Sequence, residues 1–149
     1  MVRKLFFCIR YKKSKRQKNK KKISISVRRI PEYNNEDGFI HKTFKVVDNS
    51  SQNIIQYFGE CLNFIKGDEK VLVHCISGSS RSASIVIAYI MWTKKMTYED
   101  AFKFVSDKRK CVNPKKGFTE QLKLFEKLLK ENEYNIDKIN FKDIKLESI

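Results

Sequence analysis

A chain of 149 residues, 41% of them hydrophobic, is long enough for one modest domain with a real core. The net charge of +15 is uneven: thirteen of the 32 Lys and Arg, and no acid, occur up to Arg29, leaving nineteen basic against 17 acidic residues in a nearly neutral remainder. The four cysteines, Cys8, Cys61, Cys75 and Cys111, have no paired spacing, no CxxC and no metal pattern with His41 and His74. This argues against a disulfide framework and for a reduced, intracellular protein, cytoplasmic or nuclear, without metal or other cofactor.

Residues 1–22 read as a basic extension. Its core, KKSKRQKNKKK from Lys12 to Lys22, cannot bury enough apolar surface and is expected to be disordered in isolation. Contact with nucleic acid, attraction to an anionic membrane and plain solvation all remain open for it. Leu5, Phe6, Phe7 and Ile9 form an apolar run that suits lipid contact, with Cys8 as an acylation position, but it is too short for a signal sequence or a membrane span. Val2 excludes the N-terminal myristoylation pattern.

Regular structure is expected from Ile23. Ile23 to Val27 alternates and is β-branched, and Phe39 to Val47 gives a second strand ending at Asp48. A helix follows from Ser51 to Gly67, with Ser51 as its cap and Ile54, Ile55, Phe58, Cys61, Leu62 and Ile65 on one face. Cys61 is read as packing. Val71 to His74 is a buried strand, and Ser82 to Lys95 is apolar nearly all round, as a central helix should be. Thr97 caps a helix from Tyr98 to about Lys110, and Gly117 to about Glu131 is a last amphipathic helix. The order βαβα implies an α/β fold with a mostly parallel sheet flanked by helices, over residues 23–131. Residues 132–149 are weakly patterned and read as a frayed tail.

The chemistry concentrates between Lys70 and Tyr89, KVLVHCISGSSRSASIVIAY. A strand ends on His74 and Cys75, turns through Ile76, Ser77, Gly78, Ser79, Ser80 and Arg81, and enters a helix. Such a turn aims its amides at one point, Gly78 supplies conformational freedom, and the helix adds its positive end. A phosphate dianion fits there, with Arg81 as a two-pronged partner. The same field favours thiolate over thiol at Cys75, which makes it a nucleophile. Ser82 is positioned to donate to the sulfur and improve it as a leaving group. His74 is read as a brace for the loop.

Asp48 ends the preceding strand, on the same carboxyl rim of the sheet as Cys75. Phosphoester cleavage needs a proton for the departing oxygen and later a base for water. On position, Asp48 is favoured for both over Glu36, Asp37 and Asp68, with simple helix capping as the alternative.

The string HCISGSSRS resembles the signature loop of cysteine-dependent protein phosphatases. Its Ser-Arg-Ser ending and the following Ala-Tyr-Ile-Met are similar to the dual-specificity branch, in its small atypical form. Phe-Lys-Val-Val-Asp before a helix and VLVHC resembles the branch's general-acid segment, and Pro114 to Leu122 carries a similar Pro-x-x-Gly-Phe-x-x-Gln-Leu pattern. The resemblance covers Ile23 to Lys130. It implies hydrolysis of phosphotyrosine and phosphoserine or phosphothreonine on proteins, through a phosphocysteine and without metal.

Two departures accompany it. The family's additional first strand and helix have no match before Ile23, so the sheet is expected either to lack an edge or to have it replaced poorly by the basic tail, and to be less stable. Lys115 stands where the family often has an Asn that supports the phosphate loop. Other readings are a phosphate-binding module without turnover, though such relatives commonly lose the cysteine, and a phosphatase for phosphoinositides or RNA 5′-phosphates. Phosphoinositide enzymes usually place lysines in the loop, and this loop has none.

Overall fold

The structure, a computed structural model, describes residues 5–8, 20–26, 39–67 and 71–148. Four strands form one sheet: β1 (Leu5–Cys8), β2 (Lys20–Ser26), β3 (Phe39–Lys45) and β4 (Val71–His74), in the spatial order β1-β4-β2-β3. Every pairing is parallel, with Leu5 opposite Val71, Lys21 opposite Val71 on the other side, and Lys20 opposite Phe39. The two inner strands are therefore β4 and β2. The carboxyl end of β4, where Cys75 lies, is flanked by other strands on both sides.

This departs from the sequence reading at the amino end. Leu5–Cys8, taken as part of an extension, pairs with β4, and β2 begins at Lys20 inside the basic run. Backbone pairing to β3 on one side and β4 on the other outweighs the polarity of the lysines, because a strand needs only its ladder partners to satisfy its amides. The sheet thus has a strand outside β4, and it is supplied by the stretch read as a basic extension. The disorder expected of residues 12–19 falls outside the described residues, as do Glu36, Asp37 and Asp68.

Among the described residues, four α-helices follow: α1 (Phe58–Ile65), α2 (Arg81–Lys94), α3 (Tyr98–Lys108) and α4 (Lys116–Glu131). Ten of the fourteen α2 residues are buried, which makes it the central helix around which α1, α3 and α4 pack. The apolar face of α1 and the turn before it is buried throughout, from Ile54 and Ile55 to Phe58, Cys61, Leu62 and Ile65. Burial, with the nearby Glu60 charge adding to it, pushes the Cys61 thiol far above its ordinary value, so it stays a neutral packing group. Thr97 caps α3 by accepting from the Asp100 amide at 3.2 Å, while its hydroxyl donates back to the Asp100 carboxylate at 3.0 Å.

The start of the α1 region differs from expectation. A 3-10 turn, Ile55–Tyr57, precedes α1, and Ser51 caps nothing; its hydroxyl donates to Asn49 Oδ1 instead. The first amides are taken by Gln121 of α4.

Residues 132–148 also differ from a frayed tail. They run as three short 3-10 turns that bury Ile136, Ile139 and Phe141. Trp92 Nε1 donates to the Tyr134 carbonyl at 2.9 Å, and Asn53 Nδ2 to the Ile144 carbonyl at 3.1 Å. Phe141 lies against Phe125 and over Gly59, where a Cβ would stand 2.5 Å from its ring. The segment docks because its apolar residues fill the space between α1, α2 and α4.

Candidate active site

The turn between β4 and α2 wraps around the Cys75 sulfur. Cys75 is 6% exposed, the Gly78 amide donates to Sγ at 3.2 Å, and the Ser82 hydroxyl lies 3.2 Å from it. Gly78 reaches this geometry with φ of 69°, in the left-handed region that a side chain rarely adopts. Ser77 and Ser79 hydroxyls bond one another at 2.8 Å, and the Ser84 hydroxyl donates to the Ser80 carbonyl at 2.8 Å, which fixes the turn at its crest and at its entry to α2. His74 closes β4 and is half-buried directly before the sulfur.

Arg81 opens α2 and is 4% exposed. Its Nη1 donates to the Val46 carbonyl at 3.2 Å, tying the β4 turn to the segment that follows β3 across the intervening end of β2. Asp48 lies in that segment. Asp48 Oδ1 and Arg81 Nε are both buried, and neither has a hydrogen-bond partner among the described residues. A buried acceptor and a buried donor without partners among the described residues, on segments tied to the turn that holds the thiol, are chemically suited to an anion with a protonatable oxygen.

Three contacts absent from the sequence reading brace this site. The Asn113 amide donates to the Ser79 carbonyl at 2.8 Å, and the Lys115 amide to the Ser80 hydroxyl at 3.0 Å. Arg109 Nη2 reaches the Ser77 carbonyl at 3.4 Å. The backbone amide at position 115 thus supports the turn. Gly117 and Gln121 brace the Asp48 side: a Cβ on Gly117 would fall 1.9 Å from the Ser50 carbonyl oxygen, so α4 approaches this segment too closely for any other residue. The Pro-x-x-Gly-Phe-x-x-Gln-Leu pattern was the only sequence signal for these two; nothing in the sequence singled out Arg109.

Among the described residues, no group of three or more His, Cys, Asp or Glu side chains gathers as a metal site, and no helix is long and apolar enough to cross a membrane.

A thiol that receives an amide within a strand-to-helix turn, with a carboxylate on the same rim, matches the cysteine-dependent phosphatase class of site. The model of the dual specificity phosphatase catalytic domain matches residues 5–128, and the chain belongs to that family. The match includes β1, well before the start expected at Ile23. Dual specificity protein phosphatase 1B of Arabidopsis thaliana is 38% identical over 114 residues, covering 74% of this chain and 67% of its own length. The serine/threonine/tyrosine-interacting protein of Homo sapiens is 46% identical over 92 residues, covering 59% of this chain and 41% of its own. The crystal structure of that human protein, described as tyrosine phosphatase-like, superposes with a TM-score of 0.66 at 37% identity, over 73% of this chain and 77% of the other. The chain therefore spans between 41% and 67% of these curated relatives' lengths.

Proposed function

We propose that this domain hydrolyses phosphotyrosine and phosphoserine or phosphothreonine on proteins through a phosphocysteine. The observation that carries this is the pair of buried atoms without partners among the described residues, Asp48 Oδ1 and Arg81 Nε, on the rim that holds the Cys75 thiol. Family membership supplies the substrate class.

In this reading the substrate's nonbridging oxygens are held by Arg81 and by the amides of Ile76 to Arg81. Cys75 attacks phosphorus in line, forming an S–P bond as the P–O ester bond breaks, and Asp48 gives its proton to the departing oxygen. Water then attacks phosphorus while Asp48 takes its proton. The S–P bond breaks, inorganic phosphate leaves, and the thiolate returns to the donors already placed around it, Gly78 N–H and the Ser82 hydroxyl. No redox change occurs. The reaction requires a reduced thiol, in keeping with an intracellular setting, and Cys61, Cys75 and Cys111 are all free.

The similarity to a protein named for interacting with its targets favours a second reading, a phosphate-binding module without turnover. One measurement separates the two: release of phenol from a small aryl phosphate at about pH 6, with reductant, by the wild type and by Cys75→Ser. Turnover abolished in the variant supports the phosphatase. A folded wild type without turnover that still binds phosphopeptide supports the module.

A further inference from the structure

Two large hydrophobic side chains are strongly exposed among the described residues, Val47 at 47% and Ile76 at 65%. Scattered apolar exposure is ordinary on a protein surface. These two are not scattered: Val47 directly precedes Asp48, and Ile76 directly follows Cys75. The Arg81 to Val46 hydrogen bond draws their two segments onto one rim. Val46 is 1% exposed, so the chain turns one valine into the core and the next out beside the acid.

We propose that Val47 and Ile76 are specificity-determining residues that grip the phenyl ring of a phosphotyrosine, giving this site a preference for aryl over alkyl phosphomonoesters. The proposal rests on the phosphatase reading above. The physical difference between the substrates lies just beyond the ester oxygen. In phosphotyrosine the next six atoms are an aromatic ring, which loses nothing by leaving water for an aliphatic surface. In phosphoserine or phosphothreonine the next atoms are a short carbon link and then peptide amides, which lose water there and gain no hydrogen bond from Val47 or Ile76 side chains.

The test compares kcat/KM for phosphotyrosine and phosphothreonine peptides of one sequence, using the wild type, Val47→Ser, Ile76→Ser and Ile76→Leu. The ratio within each variant cancels any general damage to the phosphate loop. A wild-type ratio of about tenfold or more in favour of phosphotyrosine is expected, falling about tenfold in each serine variant and kept in Ile76→Leu. A wild-type ratio near one, or serine variants that leave it unmoved, overturns the proposal. The Cys75→Ser form carries the same comparison as peptide affinity, with and without Ile76→Ser. An inactive wild type therefore sinks the phosphatase reading while the affinities still judge the rim.

Discussion

Gln121 of α4 and Gln52 after β3 form a relay that ends one residue before Asp48. Gln121 Nε2 donates to the Gln52 carbonyl at 2.9 Å, and Gln52 Oε1 accepts the Val47 amide at 3.2 Å. Gln121, only 1% exposed, also accepts the Ile54 and Ile55 amides at 2.8 and 3.0 Å. One buried amide thus serves as cap for the turn before α1 and as anchor for the segment carrying the carboxylate.

Replacing Gln121 with Leu strands two buried amides and a carbonyl. We expect a loss of about 2–4 kcal/mol in urea denaturation, larger than a surface substitution allows. Turnover should also fall more for phosphate esters with poor leaving groups than for those with good ones, because the displaced segment holds Asp48. An equal loss for all esters would assign Gln121 to stability alone.

Asp48→Asn keeps the shape and removes the proton donor. Turnover of an alkyl phosphate is expected to drop roughly 100-fold or more, and that of an activated aryl phosphate much less. Inhibition by inorganic phosphate should be nearly unchanged, because Arg81 and the loop amides hold it. A uniform loss for both substrates, or undiminished turnover, would assign the acid elsewhere.

The parts of this site legible in the sequence are those that are local. HCISGSSRS places thiol, turn, arginine and helix start within nine residues, and the structure brings Cys75, Gly78 and Ser82 into contact within that stretch. What stayed hidden depends on partners distant in the chain. Leu5–Cys8 is four residues set among basic ones and reads as a lipid-contacting patch; it is a strand because of its pairing with β4, more than sixty residues on. Gln121 is marked only by its place in the Pro-x-x-Gly-Phe-x-x-Gln-Leu pattern, and what it does there stays hidden because its amide partners are 66 and 67 residues away. Ile136, Ile139 and Phe141 follow no helical or strand period, so only the packed core shows why they are apolar.

Lys115 in place of the family's frequent Asn suggested a weaker phosphate loop, but its backbone amide makes the contact to Ser80. Lys115→Asn should therefore change stability by less than about 0.5 kcal/mol, and Ser80→Ala should cost about 1–2 kcal/mol. Thermal denaturation of the two variants decides this. A larger loss for Lys115→Asn would mean the lysine side chain carries the support.

Phe141 tests whether the carboxyl-terminal segment belongs to the domain. It is 7% exposed, lies 5.9 Å from Phe125 between ring centres, and covers Gly59. Phe141→Ala is expected to cost about 3 kcal/mol. A variant as stable as the wild type would show that residues 132–148 contribute little to the core.

Glu126 of α4 gives a pH dependence with a definite sign. Its carboxylate accepts the Tyr98 amide at 2.9 Å, at the start of α3. Burial is the largest single influence and pushes its pKa up, but the hydrogen bonds from Lys130 and Tyr98 and the charges of Lys130 and Lys123 together outweigh it, leaving the group below its ordinary 4.5. A carboxyl held lower in the folded state than in the unfolded one stabilises the fold above the unfolded value, and that contribution disappears as pH falls through the folded value. Glu126→Gln retains an acceptor for the Tyr98 amide and loses only the charge at the helix start. It should be about 0.5–1 kcal/mol less stable than the wild type at about pH 7, and that gap should narrow at about pH 3. Urea denaturation of both proteins at the two pH values reads the difference directly, and a gap that persists in acid would attribute it to geometry instead of charge.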